Sequence, residues 1–134
     1  MPATLINPPG LAKPGGYSHA AMGRGRTLAL AGQIGWDAHK KLVSSEFLPQ
    51  WGQALANLAC VLAAAGARPE DLLSLRIYVT DKRHYLGALK EVGETYRKHL
   101  GSHYPAMALV QVADLLEDGA LVEIEGLAVI EDRP

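Results

Sequence analysis

Apolar positions along the chain recur with two periods, near two in some stretches and near 3.6 in others. Each period names the element able to bury it. Trp51, Leu55, Leu58, Leu62 and Ala65 fall on one helical stripe. Ser44 or Ser45 supplies a cap, Glu46 lies in the first turn, and Pro49 is tolerated only near that turn. Gly66 ends the helix. A second stripe of Tyr85, Leu89, Val92 and Tyr96 predicts one amphipathic helix, running from a cap at Asp81 to Gly101.

Between these stripes the period shortens to that of strands. Thr4 to Ile6 predicts a first short strand, followed by the Pro- and Gly-rich loop NPPGLAKPGGY. Tyr17 to Met22 and Thr27 to Ile34 predict a hairpin turning at GRGR. In LLSLRIYVT, Leu73, Leu75, Ile77 and Val79 alternate with Leu72, Ser74, Arg76 and Tyr78, which predicts a strand with one apolar face. PAMALVQV, with Pro105 at its start, and GALVEIEGLAVIE supply the last two strands, separated by the polar turn ADLLEDGA.

The last of these strands carries two acids inside an apolar ladder. Glu123 and Glu125 share a face with Leu121, Leu127 and Val129, while Val122, Ile124, Ala128 and Ile130 form the other. Six strands and two helices with apolar stripes predict an α+β domain, both helices lying on one face of a single mixed sheet. The opposite face is too apolar to be plain solvent surface, so another subunit is its expected cover.

Composition narrows the function classes. The 134 residues suit one domain, 1–134, and a formal net charge of −1 with no block of like charge lacks the footprint of a nucleic-acid or membrane-surface binder. The start MPATLINPPG has no basic, apolar leader pattern, and the longest uncharged apolar stretch, 54–67, is too short for a membrane span. Cys60, without a partner for a disulfide, reads as a buried small hydrophobe and fits a reducing cytosol, so a soluble cytoplasmic protein is expected. The five histidines and Cys60 show no metal-ligand spacing, and no serine sits in a nucleophile elbow. GRGRTLA lacks the third glycine and enters a strand, so it fails as a dinucleotide loop. Trp36 either walls a ligand or packs under its own loop, and His19, close to Tyr17, reads first as a solvated or packed histidine.

Five separated segments, GGYSHA, ALAGQIGWD, LANLACVLAAAGARPEDLLSLRIYVTD, YPAMALVQV and GALVEIEGLAV, together resemble the Rid family, also called YjgF or reactive intermediate deaminases. The resemblance implies a chorismate-mutase-like fold and a homotrimer with a barrel-like interior and three inter-subunit clefts. It also implies cofactor-free hydrolysis of reactive imines or enamines, small metabolites, to keto acids and ammonia. Some members carry the description of endoribonucleases. Carried over residue by residue, Tyr17 and Gly32 match cleft positions, Glu123 matches the acid that orients the attacking water, and Glu125 matches a structural position. Met107 stands where deaminating members place an arginine that pairs with the substrate carboxylate. Ala31, Leu89 and Leu109 replace serine, asparagine and cysteine, so four cleft positions are apolar.

A thioether cannot pair with a carboxylate, and an unpaired carboxylate in a partly dry cleft loses roughly 2 to 5 kcal/mol of binding. The small 2-imino acids are therefore expected to be poor substrates. Arg24, Arg26, Arg76 and Lys82 are candidates to reach the cleft from elsewhere. Glu123, beside Leu121 and Met107, is expected to be desolvated and poised for proton transfer. The competing readings are a Glu123 that only caps an inter-subunit hydrogen-bond network, a binding trimer without chemistry, and, last, a ribonuclease.

Overall fold

The computed structural model describes residues 2–132. Among these, the elements run β1 (Thr4–Ile6), β2 (Ala20–Met22), β3 (Arg26–Ile34), α1 (Phe47–Ala64), β4 (Leu72–Val79), α2 (Lys82–Leu86), α3 (Leu89–Leu100), β5 (Ala106–Gln111) and β6 (Val122–Ile130). The architecture is α+β, as the two periods of the sequence require. Its six strands form two hydrogen-bonded groups rather than one sheet, a β1–β2 pair and a four-stranded sheet of order β3-β6-β4-β5. β6 runs antiparallel to both β3 and β4, while β4 and β5 are parallel and are joined through α2 and α3. A parallel pair needs such a crossover.

The expected hairpin between residues 17–22 and 27–34 does not form. β2 pairs with β1, and β3 pairs along β6 from Arg26↔Ile130 to Ile34↔Glu123. The turn explains the outcome. Gly25 has φ +138°, and a Cβ there would lie 2.1 Å from the Ile130 carbonyl oxygen, so the chain closes on the end of β6 instead of on β2. A nine-residue strand also offers β3 a much longer ladder than the three residues of β2.

The α1 stripe is buried as its spacing predicts. Trp51, Leu55, Leu58 and Leu62 are each at most 1% exposed, which places the core between this helix and the sheet. The start differs from expectation: Glu46 occupies the cap position without a side-chain cap bond, and the Ser44 hydroxyl, two residues earlier, accepts from Glu46 N–H. Gln50 holds that corner. Fully buried, it donates from Nε2 to the Ser44 and Gly119 carbonyls, both at 2.9 Å, and accepts from Leu121 N–H at 2.8 Å. Gly35 lets the loop approach, because a Cβ there would sit 2.5 Å from the Gln50 Cα. Asn57 completes the tie by donating to the Ile34 and Trp36 carbonyls.

Three further expectations are corrected. The second helix is broken: α2 ends at Gly87, Ala88 leaves helical geometry, and α3 restarts at Leu89. The break rotates Leu89 out of the buried stripe, leaving it 54% exposed while Val92, Tyr96 and Leu100 are buried. In β4, Leu72 rather than Leu73 faces the core, because the pairing with β6 shifts between Leu72 and Ser74. Such a shift exchanges the faces of residues before it. Cys60 is exposed, lying on the side of α1 away from the stripe. Among the described residues, no helix is long and apolar enough to cross a membrane.

Candidate active site

Because β6 is flanked by β3 and β4, its two acids stand in the middle of the sheet, on the face turned away from the helices. Residues paired across strands share a face, so Glu123 neighbours Tyr78, and Glu125 neighbours Arg76. The Tyr78 hydroxyl donates a short hydrogen bond to the Glu125 carboxylate. That bond is the main reason the Tyr78 phenol is held above its ordinary pKa, with desolvation second. Glu125 thus has a structural partner. Glu123, half-buried, lies instead against bare backbone: a Cβ on Gly32 would fall 2.7 Å from the Glu123 carboxyl carbon and from Oε1. The pairing of β3 with β6 shifts between Leu30 and Gln33, so Ala31 and Gly32 occupy the irregular segment over which the carboxyl is seated.

A second feature lies on the helix side of the sheet. Leu75↔Met107 and Ile77↔Leu109 are paired, which turns Met107 and Leu109 toward the helix face with buried Leu75 and Ile77. Two adjoining hollows open there, about 290 and 220 Å³, sharing Gly15, Gly16, Ile77, Tyr85 and Met107 as a common waist. Tyr17 and Leu109 belong to the smaller hollow, and Trp51, Leu89, Tyr96, Arg97 and Tyr104 to the larger. The loop reaches this position through Ser18. Its N–H donates to the Pro105 carbonyl and its hydroxyl to the Tyr104 carbonyl at 2.7 Å, with a parallel bridge from Ser18 to Ala106. Those bonds lay Gly15, Gly16 and Tyr17 alongside the start of β5.

Two polar tips of the aromatic wall are turned inward. Tyr96 donates to the His103 carbonyl at 2.6 Å, and the Trp51 indole donates to the Val92 carbonyl at 3.2 Å. Burial pushes the Tyr96 phenol well above its ordinary range. Tyr96 and Tyr104 stack with centroids 5.4 Å apart, and Trp51 meets Tyr85 edge-on at 5.8 Å. The hollow therefore presents ring surfaces and a thioether.

The candidate residues thus fall into two groups. Tyr17, Leu89, Met107 and Leu109 gather at the hollows, while Glu123, Ala31 and Gly32 gather on the opposite face of the sheet. The expectation that Glu123 lies beside Met107 does not hold within one chain, because the strand parity of β5 and β6 sends the two side chains to different faces. His19 does not line either hollow; its ring lies edge-on to Tyr17 and its Nε2–H donates to the Ala12 carbonyl. Trp36 packs with its own loop, bridged to Leu42 and covered by Lys40. Among the described residues, no three His, Cys, Asp or Glu side chains converge as a metal-ligating group.

Comparison with known proteins places the chain in a family and agrees with its fold. The model of the family described as endoribonuclease L-PSP matches residues 10–130. The chain belongs to that family, the Rid family. It is 34% identical over 116 residues to the human 2-iminobutanoate/2-iminopropanoate deaminase, covering 86% of this chain and 80% of that protein. It is 35% identical over 117 residues to protein DfrA of Myxococcus xanthus, with 86% of each chain covered. Among solved structures, a conserved Rid protein of Yersinia pestis superposes with a TM-score of 0.87 at 36% identity, covering 97% of this chain and all of that one. RidA of the Antarctic bacterium Psychrobacter superposes at 0.67 with 33% identity, over 89% and 92% of the two chains.

For this Rid-family chain, none of the four basic residues offered by the sequence as replacement cations lines the hollows. Arg26 pairs with Asp132 at 2.6 Å, Arg76 projects from the outer face beside Glu125, and neither Arg24 nor Lys82 lines the hollows. The basic residue at the larger hollow is Arg97. Its signal was present: Arg97 follows Tyr96, a stripe residue, and stands four positions after Gly93. Reading the helix only for its apolar stripe passed over its flank.

Proposed function

We propose that the protein is a Rid-family hydrolase of reactive imines or enamines, acting at clefts between the subunits of a homotrimer. Glu123 and Gly32 supply the water-holding side of each cleft; Tyr17, Met107, Leu109 and Leu89 supply an apolar binding side, with Ala31 at the edge of the former. The observation that carries this reading is the Glu123 carboxyl seated against a residue with no side chain, so that the acid occupies the space a side chain at position 32 would fill. The split of the two groups across the sheet supports the assembly, since the outer face of one chain must meet the hollow of another to join them. Relatives named as 2-iminobutanoate/2-iminopropanoate deaminases support the reaction class.

The chemistry then runs in two steps. Water held by the Glu123 carboxylate attacks the imine carbon; the C–O bond forms, the C=N π pair moves to nitrogen, and Glu123 accepts the proton that water loses. Glu123 returns that proton to nitrogen to give a carbinolamine; its carboxylate then takes the hydroxyl proton and passes it to the amine, so the O–H pair forms the carbonyl as the C–N bond breaks and ammonia departs. Positioned acid–base groups of this kind contribute about a hundredfold to ten-thousandfold. With Met107 in place of a guanidinium, a carboxylate directly on the imine carbon finds no partner there, so small 2-imino acids are disfavoured by about thirtyfold or more.

The test is a coupled ammonia-release assay on imines with and without a carboxylate at the reacting carbon. Native protein is expected to turn over apolar imines faster than 2-iminopropanoate, and Glu123→Ala to lose at least about a hundredfold. Equal rates for native protein and Glu123→Ala refute the assignment. One observation favours a second reading, a binding trimer without chemistry: the hollow is complete within one chain and does not include Glu123. Tight binding of an imine with no ammonia released supports it.

A further inference from the structure

Met107 sits at the waist between the two hollows, so the thioether does not end the cavity but continues its apolar surface from Tyr17 toward Tyr96 and Tyr104. The larger hollow, but not the smaller one lined by Tyr17, is also lined by a guanidinium. Arg97 folds back along α3 over Gly93, where even a Cβ would come within 3.2 Å of Nη1. Among the described residues, no carboxylate pairs with it. The cavity therefore runs from an end lined by Tyr17, past an apolar body bounded by Met107 and the stacked tyrosines, to a part lined by the Arg97 guanidinium.

We propose that this cavity selects substrates whose carboxylate is remote from the imine carbon, separated from it by a ring or an equally wide apolar body, with the carboxylate paired to Arg97. This rests on the imine-hydrolysis reading, with the imine carbon placed at the Tyr17 end, and deepens it by naming the substrate class. Several features converge. A planar guanidinium binds carboxylate through two parallel N–H···O bonds. The half-buried rings of Tyr85 and Tyr104 in the cavity lining suit a flat apolar body. A volume of about 290 Å³ lies near the lower end of small-ligand sites, enough for a single ring and its substituents. A small 2-imino acid can reach either end but cannot fill the middle. Specificity here comes from the distance between the reacting carbon and the charge, which Met107 permits by leaving the waist uncharged.

The test uses stable carbonyl compounds, titrated calorimetrically into the native protein at low salt. Para-acetylbenzoate carries a ketone at one end of a ring and a carboxylate at the other; acetophenone lacks the carboxylate; pyruvate lacks the ring. Para-acetylbenzoate is expected to bind at least about tenfold tighter than acetophenone, the scale of one charge-assisted pair. Pyruvate is expected to bind more weakly than either. Arg97→Gln should reduce the tenfold preference to less than about twofold, and Arg97→Lys should retain part of it. Arg97 is exposed, so both variants keep the core intact. Equal affinities for the two aromatic ketones in native protein, a preference that survives in Arg97→Gln, or pyruvate binding as tightly as para-acetylbenzoate each overturns the proposal. The readout is affinity. Intact Arg97-dependent binding without turnover overturns the hydrolase reading alone, whereas Glu123-dependent turnover without Arg97-dependent binding overturns this one alone.

Discussion

Replacing Gln50 with leucine removes one side chain and strands three backbone groups. The buried amide satisfies the Ser44 and Gly119 carbonyls and the Leu121 N–H, at 2.8 to 2.9 Å. Leucine has similar volume and packs acceptably among its neighbours, so lost hydrogen bonding should dominate over cavity formation. Each stranded buried group costs about 1 to 3 kcal/mol. All three bonds are only partly buried, so water can reach some of these atoms, and the low end applies: about 3 kcal/mol in all, against a total stability of roughly 5 to 15 kcal/mol. For a chain of this size that lowers the melting temperature by about 10 °C. Urea unfolding followed by far-ultraviolet circular dichroism measures it, with the slope of the transition checked for change. Gln50→Glu is the informative partner. It keeps an acceptor for Leu121 N–H but points a carboxylate oxygen at two carbonyls that cannot donate, so it too should destabilise. Leu121 lies two residues before Glu123, so amide exchange at the start of β6 should quicken in both variants. A loss below about 1 kcal/mol in Gln50→Leu would refute the view that this amide organises the corner and, through it, the setting of Glu123.

Gly32→Ala places a methyl where the Glu123 carboxyl now lies; the acid is the flexible partner, so it should swing aside with a stability change of about 1 kcal/mol while turnover falls toward the level of Glu123→Ala. Retained activity in a folded variant removes Gly32 from the site. Met107→Arg should raise the rate toward 2-iminopropanoate by at least about tenfold; an unchanged rate at unchanged melting temperature assigns the specificity to cleft shape instead. Tyr96 bears on pH. Burial raises its folded pKa, so its contribution to stability is complete below the unfolded value of about 10 and is lost as pH rises from there toward the folded value. Urea midpoints between pH 8 and 11 should therefore fall less steeply in Tyr96→Phe than in native protein; parallel slopes exclude the phenol as a cause.

Local periodicity set much of this outcome, because burial selects it directly. The stripe from Trp51 to Leu62, the alternation of Val122, Ile124 and Ala128, and the outward parity of the two glutamates follow from 3.6- and two-residue geometry alone. Family membership was equally legible, since five spaced segments carry it. Pairing was not legible. β3 had two possible partners, and Gly25 packing against Ile130 favoured the distant one, an interaction that no local pattern encodes. The break at Gly87 and the shift at Leu72 were missed for the same reason: neither changes composition, yet each rotates the faces that follow or precede it.

The chain by itself determined which side chains have chemistry to offer: Glu123, a bare Gly32 and a thioether at position 107. Only the tertiary structure decided that the acid and the thioether lie on opposite faces of the sheet, and that the hollow Met107 lines also holds Arg97. Face is fixed by strand register and proximity by helix packing, and both depend on contacts between residues far apart in sequence.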